Sequence, residues 1–78
     1  MSQLADRIYG LFRKVFPVEV RETVATIQLT VQIYKVGNWV GNEKVIFEYR
    51  KGGMNEFDRD CVGEGVQSAV NVLLEAER

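Results

Sequence analysis

Near the start of the chain Leu4, Ile8, Leu11, Phe12, Val15 and Phe16 recur at helical spacing, with Gln3, Asp6, Arg7, Arg13 and Lys14 opposite them. Ser2 stands where an N-cap belongs. Pro17 lacks a backbone donor and disfavours helical geometry at Phe16, so the pattern predicts an amphipathic helix that stops there. From Val24 the period changes to two. Ala25, Ile27, Leu29, Val31 and Ile33 point one way and Thr26, Gln28, Thr30 and Gln32 the other, in a β-branched composition that predicts a long strand with one buried face. Val18 and Val20 have the opposite parity from Ile27, which requires a bulge, a bend or a separate short strand near residues 21–23.

A second alternating run, residues 43–51, carries Val45, Phe47 and Tyr49 on one side and Lys44, Glu48 and Arg50 largely on the other, with Ile46 breaking the rule. Pairing Ile33 with Val45, Val31 with Phe47, Leu29 with Tyr49 and Lys35 with Glu43 matches apolar to apolar and charge to opposite charge. That register leaves residues 36–42, with their Gly and Asn, as a wide loop holding Trp39 and Val40. A tight turn at Gly37-Asn38 would instead set Val31 against Lys44. Gly52-Gly53 breaks the second strand, and residues 54–57 form either a short third strand or a connection. Asp58 or Asp60 can cap a last helix carrying Val62, Val66, Ala69, Val70 and Leu73, although Gly63 and Gly65 require either a later start or a close approach of backbone there. The expected fold is α+β: a helix, an antiparallel hairpin of two or three strands, and a C-terminal helix, with both helices on one sheet face.

Length and composition narrow the class. The 78 residues fit one small domain, 1–78, and 46% hydrophobic with 27% charged residues is the balance of a soluble globular chain. A domain of this size buries only about 60% of the surface its unfolded chain exposes, so a partner is expected to add to its core. Net charge is -1 but unevenly spread: residues 1–54 carry +3 and residues 55–78 carry -4. Neither part has the run of like charges that marks a nucleic-acid arm or an acidic tail. One cysteine, Cys61, excludes an internal disulfide and suits a reducing cytosol. No signal-peptide core and no bilayer-length apolar stretch are visible, so the expected location is cytoplasmic, away from membranes.

Catalytic chemistry finds little footing. Asp58, Asp60 and Glu64 cluster around the start of the last helix, where dipole stabilisation explains carboxylates without a catalytic role. Their spacing is not that of a calcium loop, and a chain without histidine lacks the usual zinc sets, so no metal and no cofactor are expected. Cys61, Ser2 and Ser68 have no histidine base to activate them. Gly52-Gly53 followed by Met54 is not a phosphate loop. The chain reads as a non-enzyme.

Two kinds of partner remain. Nucleic acid would engage Arg13, Lys14, Lys44, Arg50 and Lys51, with Tyr34 or Trp39 for stacking, but Glu43 and Glu48 interrupt the basic stripe. The order helix, strands, helix is similar to that of double-stranded-RNA-binding domains. Those domains place basic residues at the start of the last helix, where this chain has Asp58, Asp60 and Glu64, so the likeness transfers no function. A protein partner is favoured by two features. The last helix is apolar over about 220° at 100° per residue, well beyond a single core-facing stripe. Trp39 and Val40, with Tyr34, form a candidate anchor in the loop between strands. The leading expectation is a small protein-binding domain, an accessory subunit or inhibitor of the size carried by phages and other mobile elements, acting by occluding a larger partner's surface. A homodimer is also expected, because two helices are wider than a sheet of two or three strands. It would form through a sheet edge or through Cys61, Gly65 and Val72 on the last helix.

Overall fold

The computed structural model describes residues 2–35 and 38–77, and the side chains of these apart from 33–42. The element order is α1 (Gln3–Phe12), β1 (Val18–Glu22), β2 (Thr26–Lys35), β3 (Asn38–Arg50), β4 (Asn55–Phe57) and α2 (Glu64–Ala76). The strands form a four-stranded antiparallel meander in chain order, one or two strands more than the hydrophobic pattern suggested. This is an α+β fold.

Ser2 caps α1 through its hydroxyl, which accepts from the Ala5 N–H at 3.1 Å. Ala5, Ile8 and Phe12 are fully buried on the inner face. The helix ends at Phe12, earlier than Pro17 alone would require, and a turn over residues 13–15 leaves Val15 60% exposed rather than on the apolar stripe. The chain then turns tightly about Pro17, with the Val18 N–H donating to the Phe16 carbonyl at 3.0 Å. The parity conflict between Val18 and Ile27 is resolved by a separate short strand. β1 lies antiparallel to β2, with Val18 opposite Val31 and Val20 opposite Leu29, joined by a turn in which the Thr23 hydroxyl accepts from the Ala25 and Thr26 N–H groups.

The register of β2 on β3 differs from the wide-loop expectation. Leu29 faces Phe47, Val31 faces Lys44, Ile33 faces Asn42, and the pairing continues through Tyr34 opposite Trp39 to Lys35 opposite Asn38. Trp39 and Val40 are therefore strand residues. Between the pairs Leu29–Phe47 and Thr30–Val45 the register shifts, so Ile46 is the extra residue of a β-bulge. The bulge turns Ile46 inward beside Phe47, both 1% exposed, and leaves Val45 45% exposed. Strict alternation had put Val45 on the core side and Ile46 off it.

β3 ends in a turn closed by the Gly53 N–H donating to the Arg50 carbonyl at 2.8 Å, with Gly52 at φ 78°. Only glycine adopts that conformation without strain. α2 begins at Glu64 with Gly63 as its N-cap. Asp58 and Asp60 cap nothing there. Instead the Asp58 carbonyl accepts from the Cys61 and Val62 N–H groups in a preceding turn that buries Val62. Cys61 and Val62 thus lie outside the helix, which narrows its apolar arc. Both helices contribute to one buried cluster with Ile27, Leu29, Phe47 and Tyr49. Ring centroids 5.4 Å apart join Phe12 to Phe47, and 5.0 Å apart join Phe47 to Phe57. The cluster therefore locks α1, β3 and β4 together. No described helix is long and apolar enough to cross a membrane.

Candidate functional site

With their inner stripes committed to the core, α1 and α2 meet along a seam whose outer side is an open groove of about 910 Å³. Its floor is apolar: Gly10, Leu11, Ala69, Val72, Leu73 and Ala76. Gly10 leaves space, since a Cβ built there meets nothing within 4 Å. Val72 is 71% exposed, a large aliphatic side chain with no covering element. The floor exists because α2 carries more apolar residues than its inner stripe of Val66, Val70 and Leu74 uses.

The rim is basic. Arg7, Arg13 and Lys14 line it, with Asp6 the one carboxylate among the lining residues. Arg7 Nη1 lies 3.5 Å from Glu77 Oε1 and ties the start of α1 to the end of α2. Arg13 and Lys14, exposed at the end of α1, make no ion pair among the described residues. The groove thus combines an apolar floor with uncommitted positive charge.

The five residues expected to hold nucleic acid are not presented alike. Lys44 Nζ is 2.7 Å from Asp58 Oδ2 and 3.5 Å from Cys61 Sγ. The Asp58 carboxylate first, and Cys61 second, hold the Lys44 ammonium above its ordinary pKa, and Lys44 in turn holds Asp58 below the usual carboxylate range. Arg50 lies 3.6 Å from Glu48. Lys51 bridges Glu22 Oε2 at 2.9 Å and the Thr23 carbonyl at 2.8 Å. Lys51 first, and Ser2 second, lower the Glu22 pKa to about 2; the Ser2 N–H donates to Glu22 Oε1 at 2.7 Å. Three of the five cations thus serve the fold's own carboxylates, and only Arg13 and Lys14 share a surface that faces outward as one feature.

Of the residues expected at a dimer contact, Val72 lines the groove, while Cys61 and Gly65 are exposed outside its lining. Tyr34, Trp39 and Val40 sit at the far end of the β2–β3 hairpin, and their side chains fall outside the described ones. Gly10 and Ala76 were not singled out by sequence reasoning, and Ala69 was read only as part of the apolar face of the last helix. Their small size is the signal, visible only once the two helices are known to be neighbours. Among the described residues no group of three His, Cys, Asp or Glu is placed to hold a metal ion. Compared with protein-family models, with characterised proteins and with solved structures, the chain matches none.

Proposed function

We propose that this chain is a small protein-binding domain that acts without catalysis, an accessory subunit or inhibitor that occludes a partner's surface. The observation that carries the reading is the groove between α1 and α2, an apolar floor with Val72 71% exposed beneath a rim bearing Arg13 and Lys14. A single large exposed side chain is ordinary on a protein surface, but a contiguous apolar strip edged by charge is the anatomy of an interface. The cytosol, inferred from the single cysteine, is the proposed setting, and a phage or mobile-element origin rests on size alone.

The test is capture of partners from the source cell by wild type and by Val72→Asp, which places a charge on the floor without touching the core. A partner retained by the wild type and lost by the variant supports the reading. Equal capture by both removes the groove from it. Trp39→Ala extends the test to the hairpin end: reduced capture with unchanged stability assigns Trp39 to binding, whereas a loss of about 3–5 kcal/mol assigns it to packing.

The second reading, nucleic-acid binding, keeps Arg13 and Lys14 but needs Lys44, Arg50 and Lys51 to leave Asp58, Glu48 and Glu22. Titration with labelled single- and double-stranded oligonucleotides at low salt decides it. Saturable binding that weakens steeply with salt favours this reading, and no binding at tens of micromolar removes it.

A further inference from the structure

We infer that the groove between α1 and α2 takes an acidic amphipathic helix of a partner protein, a short segment whose carboxylates lie towards Arg13 and Lys14. The inference rests on reading the groove as a docking face and names the chemistry of what docks there.

The sign of the partner follows from how the rim's charges are committed. The lining holds Arg7, Arg13 and Lys14 against one carboxylate, Asp6. Arg7, near the start of α1, lies 3.5 Å from Glu77 past the end of α2, so with Asp6 beside it that end of the groove is compensated within the chain. Arg13 and Lys14 stand just past the other end of α1, both exposed, and neither makes an ion pair among the described residues. Uncompensated positive charge therefore sits at one end of an apolar floor. A carboxylate arriving from outside meets two cations there and displaces no internal partner.

The floor decides the partner's backbone. Gly10, Leu11, Ala69, Val72, Leu73 and Ala76 all lie beyond the first turn of their helices, so each of their N–H groups is bonded within its own helix. The floor thus offers no row of donors to an extended strand, whose carbonyls would lose water there without replacement. A helix satisfies its own backbone and brings only side chains to the contact. From Ala69 to Ala76 the floor runs for about 10 Å at 1.5 Å per residue, which a helix of about two to three turns covers with apolar residues at i, i+3 or i+4, and i+7. Val72, 71% exposed, stands up from the floor, and the space above Gly10 has room for a large side chain of the occupant. Exposed ion pairs add little affinity and are screened by salt, so the floor supplies most of the binding and Arg13 and Lys14 select the sign.

The experiment is a selection of displayed random peptides of about 16 residues, long enough for three turns with flanks, on the immobilised full chain after depletion on Val72→Asp. The enriched peptides are expected to share helically spaced apolar residues and an excess of Asp and Glu. When synthesised, they are expected to gain helical circular dichroism on binding and to weaken as salt is raised. Arg13→Glu with Lys14→Glu is expected to bind them about tenfold more weakly, because two attractions become two repulsions, and to prefer the same peptides with Lys in place of the acids. All three substituted positions are exposed, and circular dichroism checks that each variant folds. Peptides without the helical spacing, without the acidic excess, or bound equally by the charge-reversed variant overturn the inference. So does a wild type that enriches no peptide but binds phosphatidylglycerol vesicles, which makes the occupant a lipid surface. Light scattering that shows a dimer split by Val72→Asp makes it a second copy and overturns the inference as well. The docking reading fails separately, through equal capture of cellular proteins by the wild type and Val72→Asp.

Discussion

Replacing Ile46 by alanine tests the bulge on which the core of this fold depends. In a strand with unbroken alternation Ile46 would point away from Phe47, and its truncation would cost little. In the structure it is 1% exposed, so truncation removes three buried carbon groups at about 0.8 kcal/mol each, about 2.4 kcal/mol before any cavity is counted. The unrelaxed part of the cavity brings the expected loss to about 3 kcal/mol, within the range for such substitutions. A chain of 78 residues has a total stability of about 4–12 kcal/mol, so the variant gives up a large share of it. Val45→Ala, at a residue 45% exposed, is expected to cost under about 1 kcal/mol. Urea unfolding followed by circular dichroism reads both. With a slope near the low end for small proteins, Ile46→Ala lowers the midpoint by about 2–3 M and Val45→Ala by less than about 1 M. If Val45→Ala costs as much as Ile46→Ala or more, the strand alternates regularly and the bulge is refuted.

Three further outcomes follow from the same geometry. Gly52→Ala is expected to cost about 1–2 kcal/mol in urea unfolding because φ is 78° there. Gly53→Ala, whose Cβ meets the Arg50 carbonyl oxygen at an ordinary 3.5 Å, should stay within about 0.5 kcal/mol, and equal costs at the two positions would remove the turn argument. Glu22 has a folded-state pKa of about 2 against an ordinary 4.5, so its contribution is present above the ordinary value and is lost as pH falls from there towards 2. Glu22→Gln should therefore be less stable than wild type at neutral pH, with the gap closing below pH 4.5, and thermal unfolding curves that stay parallel from pH 7 to 2 would contradict this. Gly10→Ala is expected to stabilise α1 by up to about 1 kcal/mol in urea unfolding, since the added methyl meets nothing within 4 Å. A variant less stable than wild type would show that the added methyl meets an obstacle there.

What the sequence determined by itself was local. The spacing of Leu4, Ile8 and Phe12, the Ser2 cap, the alternation from Thr26 and the break at Gly52-Gly53 each act over a few residues, so each could be read along the chain. The parity change at Val18 and the anomaly at Ile46 were also visible, but as conflicts without a solution. Tertiary structure solved them by pairing β1 with β2 as a separate strand and by placing the bulge at Ile46, because one inner face had to be filled from residues on both sides of each break. The start of α2 was open for a similar reason. Helix dipole and capping chemistry favoured Asp58 or Asp60, but burial of Val62 and the ion pair of Asp58 with Lys44 fix residues 58–62 as a turn and delay the helix to Glu64. The groove was least legible of all. Gly10, Ala69 and Ala76 look like ordinary small helical residues until the packing of α1 against α2 brings them to one floor, and Arg13 and Lys14 become its rim only because the fold's own carboxylates occupy Lys44, Arg50 and Lys51. Which charges stay free is a property of neighbours far apart in the chain, and only the folded arrangement decides it.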